Sequence, residues 1–200
     1  LFTQGMVCHE TYKDENNNWI SPDEVEVING RKILKSDPDI KIKVGPSESM
    51  SKSKKNTIDP QKIIDNYGAD AVRLFILSDS PPEKDVQWSE EGIISAHKFI
   101  QKLWSLNLSI HDEIKKDHTE DDNNELTKFT NRFIKKVTDA LNNFNYNVII
   151  AHIHELYSFL FKVIKNNYKK QTLLNNYHKI LIVIMPIIPH LSNECIKLLN

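Results

Sequence analysis

Residues 50 to 56 read Met50-Ser51-Lys52-Ser53-Lys54-Lys55-Asn56, which puts three ammonium groups into four residues beside two small hydroxyls. Cations and hydroxyl donors at this density suit a polyphosphate, because lysine is a compact charge on a flexible stem and can follow a moving ligand. The approach to the run, Gly45-Pro46-Ser47-Glu48-Ser49, is polar, and a helix start at Asp59-Pro60 follows it. Few apolar anchors flank the loop, so it is expected to be mobile. Each of these ammonium groups could answer charge on a bound phosphate, an effect worth about 2.7–4 kcal/mol per well-placed donor in other enzymes. Ser51 and Ser53 would donate hydrogen bonds to phosphate or fix the turn, and Met50 would pack on the hinge side. Read alone, a Lys-rich heptamer is simply a solvated basic surface; the surrounding sequence has to decide.

Other chemistries find little support. Eight histidines are present, yet His152 and His154 stand two apart on a predicted helix and point to different sides, so they cannot share a metal. His9-Glu10 lacks the second histidine of a metalloprotease helix. His190, after Pro189, reads as a residue with a structural hydrogen bond near a helix start. Cys8 and Cys195 are far apart and form no metal-type pair, and two reduced thiols are a simpler account than a disulfide. The five glycines are unclustered, which argues against a glycine-rich phosphate loop. No metal site is expected, and no Ser-His-Asp or Cys-His assembly can be argued from residue order.

The elements that position the loop fall into two kinds. To about Val44 the chain reads as short strands and turns. Phe2 to Val7 is a strand candidate, Asp14 to Asn18 a polar turn, and Ile20–Ile28 and Lys32–Leu34 flank Asn29-Gly30, the dipeptide favoured in tight hairpin turns. From Asp59 the pattern becomes helical. Asp59 suits an N-cap, Pro60 the first helical position and Gly68 the terminus. Asp70 could cap a second helix with Val72, Phe75 and Ile76 as its apolar face, and Arg73 could pair with Asp70 one turn on. Ser89 opens a long helix with Ile93, Ala96, Ile100, Leu103 and Trp104 on its core side. Lys115 to Glu125 is a polar helix–helix loop. Phe129, Phe133, Val137 and Leu141 form an i, i+4 stripe, as do Ile150, Ile153, Tyr157, Leu160 and Ile164; Leu173–Met185 and Pro189–Leu199 complete an array of packed helices.

Composition sets outer bounds. The chain has 200 residues, 40% hydrophobic and 26% charged, with a formal net charge of −1. These are ordinary values for a globular protein, with room for one domain or one and a half. A near-neutral chain has no global nucleic-acid signature, so any RNA contact must come from local patches. The most apolar run, Ile180 to Ile188, is broken by Pro186 and is too short to span a bilayer, and no secretory signal is seen. The chain opens inside an apolar run, Leu1 to Val7, without an initiator Met, and is expected to be a fragment of a longer protein.

Beyond the loop, the segment carries Asp59-Pro60, Tyr67-Gly68-Ala69-Asp70, Arg73-Leu74-Phe75-Ile76-Leu77, Pro81-Pro82-Glu83-Lys84-Asp85, Trp88-Ser89, Gly92 and Trp104. Together these residues resemble class I aminoacyl-tRNA synthetases, and the leucyl-tRNA synthetase family in particular. Methionyl, valyl and isoleucyl families share the loop and the Tyr-Gly-Ala-Asp turn, whereas the Pro-Pro-Glu, Trp-Ser and Gly run is more typical of leucyl enzymes. Weaker echoes follow at Phe144-Asn145, Ala151, Glu155-Leu156, Pro186, Pro189-His190 and Asn193-Glu194. The family's signature loop is usually Lys-Met-Ser-Lys-Ser; here Ser49 stands at the first lysine, and Lys54 or Lys55 is left to compensate.

The resemblance implies a mainly α chain. Residues 1–80 would be the end of a Rossmann-like catalytic domain with a short β-hairpin insertion and the signature loop at 49–53. Residues 81–200 would be an α-helical bundle of the anticodon-binding type. It also implies ATP-dependent ligation of leucine to its tRNA through leucyl-adenylate, with ATP and Mg2+. Lys52 would be catalytic, Met50, Ser51, Lys52 and Ser53 would bind ATP, and Lys54, Lys55, Arg73 and Trp88 would contact tRNA(Leu). Arg73 and Trp88 also have structural readings, as an ion-pair partner and as an interdomain wedge. A cytoplasmic monomer is the expected state. The family's other ATP-binding signature, His-Ile-Gly-His, and its editing insertion are not among these residues, so the fragment alone is expected to be inactive. The alternatives are a valyl, isoleucyl or methionyl fragment, a non-catalytic tRNA-docking module acting through Lys98, Lys102, Lys135 and Lys136, or a purely structural bundle.

Overall fold

The computed structural model describes residues 3–116, 124–166 and 168–199. They fall into two units. One comprises Leu1–Asn66 with Glu83–Glu90, the other Tyr67–Pro82 with Glu91–Asn200. Packing therefore does not follow chain order: the segment after Asn66 joins the helical unit, and the chain returns to the first unit at Glu83 before the long helix begins.

The first unit is built on β1 (Val7–Lys13). Its register with β6 (Lys43–Ser49) shifts between Glu10 and Tyr12. Cys8-His9 and Thr11-Tyr12 are buried as adjacent pairs rather than alternately, and the bulge falls at the second pair. Along its other edge β1 pairs antiparallel with β2 (Trp19–Ile20) and parallel with β7 (Val86–Gln87). The strand expected at Phe2–Val7 thus begins where the expectation ended; Phe2 lies outside the described residues. Met6, just before β1, is held instead by its N–H, which donates to Asp85 Oδ1 at 2.8 Å, and by its carbonyl, which accepts from the Val86 N–H at 2.9 Å. The polar approach to the loop is itself strand β6. Pro46 is tolerated there because β6 pairs, among the described residues, only with β1, and an edge strand can spare a donor.

The Asn29-Gly30 turn forms as expected, with φ of 52° and 76° at the two positions that need a left-handed backbone. It joins β3 (Val25–Ile28) to β4 (Arg31–Leu34), and β5 (Asp37–Lys41) extends the hairpin to three strands. Ile20–Ile28 is not one strand. Between Ile20 and Val25 lies a short 3-10 turn, Pro22–Glu24, fixed by the Glu24 carboxylate accepting from the Ser21 N–H at 2.9 Å. The polar turn after β1 closes through Asp14, which accepts from the Asn18 N–H at 2.8 Å.

Asp59 caps α1 (Pro60–Tyr67) by accepting from the Gln61 N–H at 3.0 Å, and Gly68, at φ 83°, separates α1 from α2 (Ala69–Ser78). In the second unit α2 packs with α5 (Tyr146–Val163) and α7 (Pro189–Leu199), and α4 (Glu125–Asn142) packs with α5 and α6 (Lys170–Ile184). The long helix α3 spans Glu90–Ile114. The loop expected at Lys115–Glu125 is described only at its ends; residues 117–123 lie outside the described residues. The α3 core face runs through Ile93, Ala96, Phe99, Leu103, Leu106, Ile110 and Ile114. Trp104 is not core: it is 36% exposed, because the stripe passes through its neighbour Leu103. On α2 the buried face is Ala71, Leu74 and Phe75, one residue out of step with the expected Val72 and Ile76.

The expected Asp70–Arg73 pairing gives way to two longer-range ties. Buried Asp70 accepts from the backbone N–H groups of His190 (3.3 Å) and Leu191 (2.7 Å) and lies 3.0 Å from His190 Nδ1, so it serves the start of α7 rather than of its own helix. Arg73 donates to the carbonyls of Ile187 (3.1 Å) and Pro186 (2.9 Å) in the turn that precedes α7. A carboxylate at a helix N-terminus satisfies amides that the helix cannot and opposes the positive end of the helix dipole. Asp70→Ala should therefore destabilise the helical unit by roughly 2–3 kcal/mol, with Asp70→Asn losing about half as much. The urea-unfolding midpoint and faster amide exchange at His190 and Leu191 would check this.

Candidate functional site

The cationic loop leaves the end of β6 as a tight turn over residues 52–55. Met50, half-buried, is tied to β1 by its N–H on the Val7 carbonyl at 3.4 Å. Ser51 organises the turn: its hydroxyl accepts from the Lys54 N–H at 3.3 Å and lies 3.3 Å from the Ser53 hydroxyl. The Lys55 N–H donates to the Lys52 carbonyl at 3.2 Å, and Lys55 takes a left-handed φ of 52°. That backbone costs a residue with a Cβ on the order of 1 kcal/mol, so neighbouring bonds must hold it. Lys52, Ser53 and Lys55 are exposed.

The lysines of the loop are not equivalent. Lys54 forms an ion pair with Glu48, with side-chain exposures of 40% and 37%, so part of its charge is already answered within the protein. Lys52 and Lys55 extend from the turn as exposed cations, with two serine hydroxyls between Met50 and Lys54. This donor set fits an anionic oxygen ligand such as a polyphosphate. It does not fit a metal ion: among the described residues no group of three or more His, Cys, Asp or Glu could hold one.

Asn56, which sequence reasoning passed over, closes the loop from below. It is 1% exposed. Its Oδ1 accepts from the Ser51 N–H at 2.8 Å, and its Nδ2 lies 3.2 Å from the carbonyls of His9 and Glu48 and 3.4 Å from that of Ser49. A polar residue at a loop end carries no signal of burial in the sequence; only the approach of β1 to β6 creates the cage of carbonyls around it.

The remaining expected site residues lie elsewhere. Trp88 belongs to the same unit as the loop, where its N–H extends the β1–β7 pairing onto the Cys8 carbonyl at 2.8 Å. Arg73 belongs to the helical unit and engages the two carbonyls described above. Of the lysines considered for RNA docking, Lys98 and Lys102 line an open groove on α3 and α5 with Tyr157 and Phe161, whose rings lie 5.9 Å apart at 23°. Lys136 is instead paired with Glu155 at 2.9 Å, a hydrogen bond that lowers the Glu155 pKa against the partial burial that raises it. His154 stacks on Phe99 at 3.8 Å while His152 lies 3.3 Å from Glu155, so the two do point apart. Cys8 and Cys195 are buried free thiols, and burial pushes the Cys195 thiol up to about 11, leaving it protonated and unreactive at neutral pH.

With this geometry in view, residues 43–89 match the family model of class I tRNA synthetases (I, L, M and V), and residues 123–200 match that of the anticodon-binding domain of tRNA ligase. The chain belongs to the class I tRNA synthetases. Within that class, the relatives it matches along its own length include leucine–tRNA ligases. It is 42% identical to the leucine–tRNA ligase of Rickettsia typhi over 195 residues, covering 97% of this chain, and 42% identical to that of Orientia tsutsugamushi over 201 residues, covering all of it. The chain spans 23% of the length of each of these relatives. The fold also matches, over 100% of this chain and 22% of the other with a TM-score of 0.70 and 20% identity, a LeuRS of Agrobacterium radiobacter solved in a ternary complex with tRNA and LeuAMS.

The Lys54–Glu48 pair is a half-exposed contact of the kind worth about 0–1 kcal/mol. Glu48→Gln should raise the rate of tryptic cleavage after Lys52 and Lys55 by no more than about fivefold, the ratio that ~1 kcal/mol allows. Timed proteolysis of the two proteins checks this; a far larger increase would make the pair, rather than Asn56, the main restraint on the loop.

Proposed function

We propose that this chain is the part of a leucine–tRNA ligase that carries the mobile signature loop of the catalytic domain and the helical domain that docks on tRNA. The observation that carries the reading is the loop itself: Lys52 stands exposed on a turn organised by Ser51, in a sequence that matches leucine–tRNA ligases along its own length. In this reading the catalytic part passes to the tRNA-binding bundle near residue 80, with Tyr67–Pro82 belonging to the helical unit and Glu83–Glu90 to the unit that holds the loop.

The reaction has two steps. A carboxylate oxygen of leucine attacks the α-phosphorus of ATP, the bond to the β-phosphate bridging oxygen breaks, and pyrophosphate leaves. The terminal ribose hydroxyl of tRNA(Leu) then attacks the carbonyl carbon of leucyl-adenylate and AMP leaves. Lys52 stabilises the charge that accumulates on the phosphates during the first step, a contribution made in the transition state. Met50 packs at the loop's root and Ser51 and Ser53 offer hydroxyls to the nucleotide. Lys55 is the better replacement for the cation missing at Ser49, since Lys54 is engaged with Glu48. Mg2+ would accompany the nucleotide and help neutralise its phosphates. Of the proposed tRNA contacts Lys54, Lys55, Arg73 and Trp88, Lys54 and Arg73 are the less favoured because Glu48 and two backbone carbonyls already engage them. Lys98 and Lys102, beside half-buried Tyr157 and exposed Phe161, are better placed for RNA than Lys136.

Among the described residues no helix is long and apolar enough to cross a membrane; a cytoplasmic, monomeric enzyme is the proposed state. These 200 residues contain no His-Ile-Gly-His sequence, and the segment alone is proposed to be inactive. In the whole enzyme, pyrophosphate exchange should be driven by leucine and not by isoleucine, valine or methionine; exchange with another of these would replace the leucine assignment. Lys52→Ala should lower the leucine-dependent exchange rate by more than tenfold, roughly a hundredfold if it acts as oxyanion donors do elsewhere. Its tRNA affinity should stay within about twofold, because the interaction is lost from the transition state rather than from tRNA binding. An unchanged exchange rate would remove Lys52 from the mechanism.

A further inference from the structure

We infer that Asn56 is a positioning residue for Lys52: its buried side chain is the fixed point on which the cationic turn is mounted. The inference rests on the synthetase reading above and adds to it the device that holds the loop in shape.

Asn56 lies four residues beyond Lys52 and one beyond the left-handed Lys55, and it is nearly inaccessible. Its side chain faces four backbone groups from three places in the chain: the His9 carbonyl in β1, the Glu48 and Ser49 carbonyls at the end of β6, and the Ser51 N–H at the start of the turn. Two amide protons are shared among three carbonyls, so one bond of the set is bifurcated. The amide has one consistent orientation, because its NH2 must face the carbonyls and its oxygen the Ser51 N–H. The bond to Ser51 matters most. Ser51 is also the residue whose hydroxyl receives the Lys54 N–H, and the Lys52 carbonyl receives the Lys55 N–H. The turn is thus clamped at its entry by Ser51 and at its exit by Asn56 itself, while Lys52, Ser53 and Lys55 between them stay exposed.

Between Ser51 and Asn56 the turn contains no apolar residue that could replace this clamp, and Met50 at its root is only half-buried. Ser47, Ser49, Ser51, Ser53, Lys52, Lys54 and Lys55 have no hydrophobic mass to bury. The Lys54–Glu48 pair is half exposed and is worth little in water. A buried amide satisfied on both its ends is the restraint on this turn best shielded from water, and so suited to repeat the same turn each time the loop moves. Lysine at position 52 can only answer a developing charge if its stem starts from a reproducible place.

The test is a double-mutant cycle in the whole enzyme, with Lys52→Ala, Asn56→Ala and the combination, read by leucine-dependent pyrophosphate exchange. Asn56→Asp is a second variant: it is isosteric and keeps an acceptor for the Ser51 N–H, but it turns oxygen toward three carbonyls. Asn56→Ala and Asn56→Asp should each lower exchange by about tenfold or more, expressed in kcat rather than in KM for leucine. Adding Asn56→Ala to Lys52→Ala should cost no more than about twofold further, because a residue acting through Lys52 has nothing left to act through. Affinity for tRNA should stay within about twofold in every variant. Losses that multiply across the cycle, an exchange rate untouched by both Asn56 variants, or a parallel loss of tRNA affinity would each overturn the assignment; the last would make Asn56 a general folding residue. A Lys52→Ala enzyme of normal activity would overturn the Lys52 reading and this inference with it. Multiplying losses, with Lys52→Ala still impaired, would overturn only the role of Asn56.

Discussion

The antiparallel ladder between β1 and β6 is the constraint from which the geometry of the loop follows. β6 is short of apolar residues and contains a proline, so it has little intrinsic reason to be a strand. It is one because β1 supplies backbone partners from Cys8 to Lys13, and because the bulge near Glu10 and Thr11 lets the two strands stay in register on either side. At the end of that ladder the carbonyls of His9, Glu48 and Ser49 converge. A side chain with two amide protons and one acceptor oxygen fits the space they define, and Asn56 fills it.

A division of labour results between rigid and exposed polar groups. Asn56 and Asp70 are both polar, both buried, and both bonded mostly to backbone; each takes the place that an apolar plug might have had. Burying such groups is costly unless their partners are complete, and here they are. In each unit the polar anchor reaches across a long stretch of sequence: Asn56 to His9, and Asp70 to His190 and Leu191. Anchors of this kind specify a single arrangement more sharply than a hydrophobic contact, because a small shift leaves a donor or acceptor unpaired.

The charge distribution follows the same logic. A chain of net charge −1 gains no global attraction for a polyanion, so any steering must be local. Cations that are already answered, Lys54 by Glu48 and Lys136 by Glu155, serve the protein's own surface. Those left exposed, Lys52 and Lys55 on the turn and Lys98 and Lys102 beside aromatic rings, are the ones with charge to offer a ligand. Sequence cannot separate the two groups, since an ion pair between residues six or nineteen positions apart depends on where the backbone takes them.

Local chemistry was readable without coordinates wherever the determining interaction was short in sequence. Asn29-Gly30 specified its hairpin turn because both residues tolerate positive φ, and Asp59-Pro60 opened α1 because a capping carboxylate and a fixed φ need only their next neighbours. The apolar stripes announced the helices because burial repeats with the helical period, and the run from Gly45 to Trp104 carried the family. Tertiary structure alone decided which strand received β6, which face of α3 left Trp104 exposed, which helix Asp70 would cap, and that an unremarked asparagine would sit at the root of the loop. Those outcomes depend on backbone groups brought together from distant positions. A carbonyl has the same identity in every residue, so no sequence pattern marks where several of them will meet.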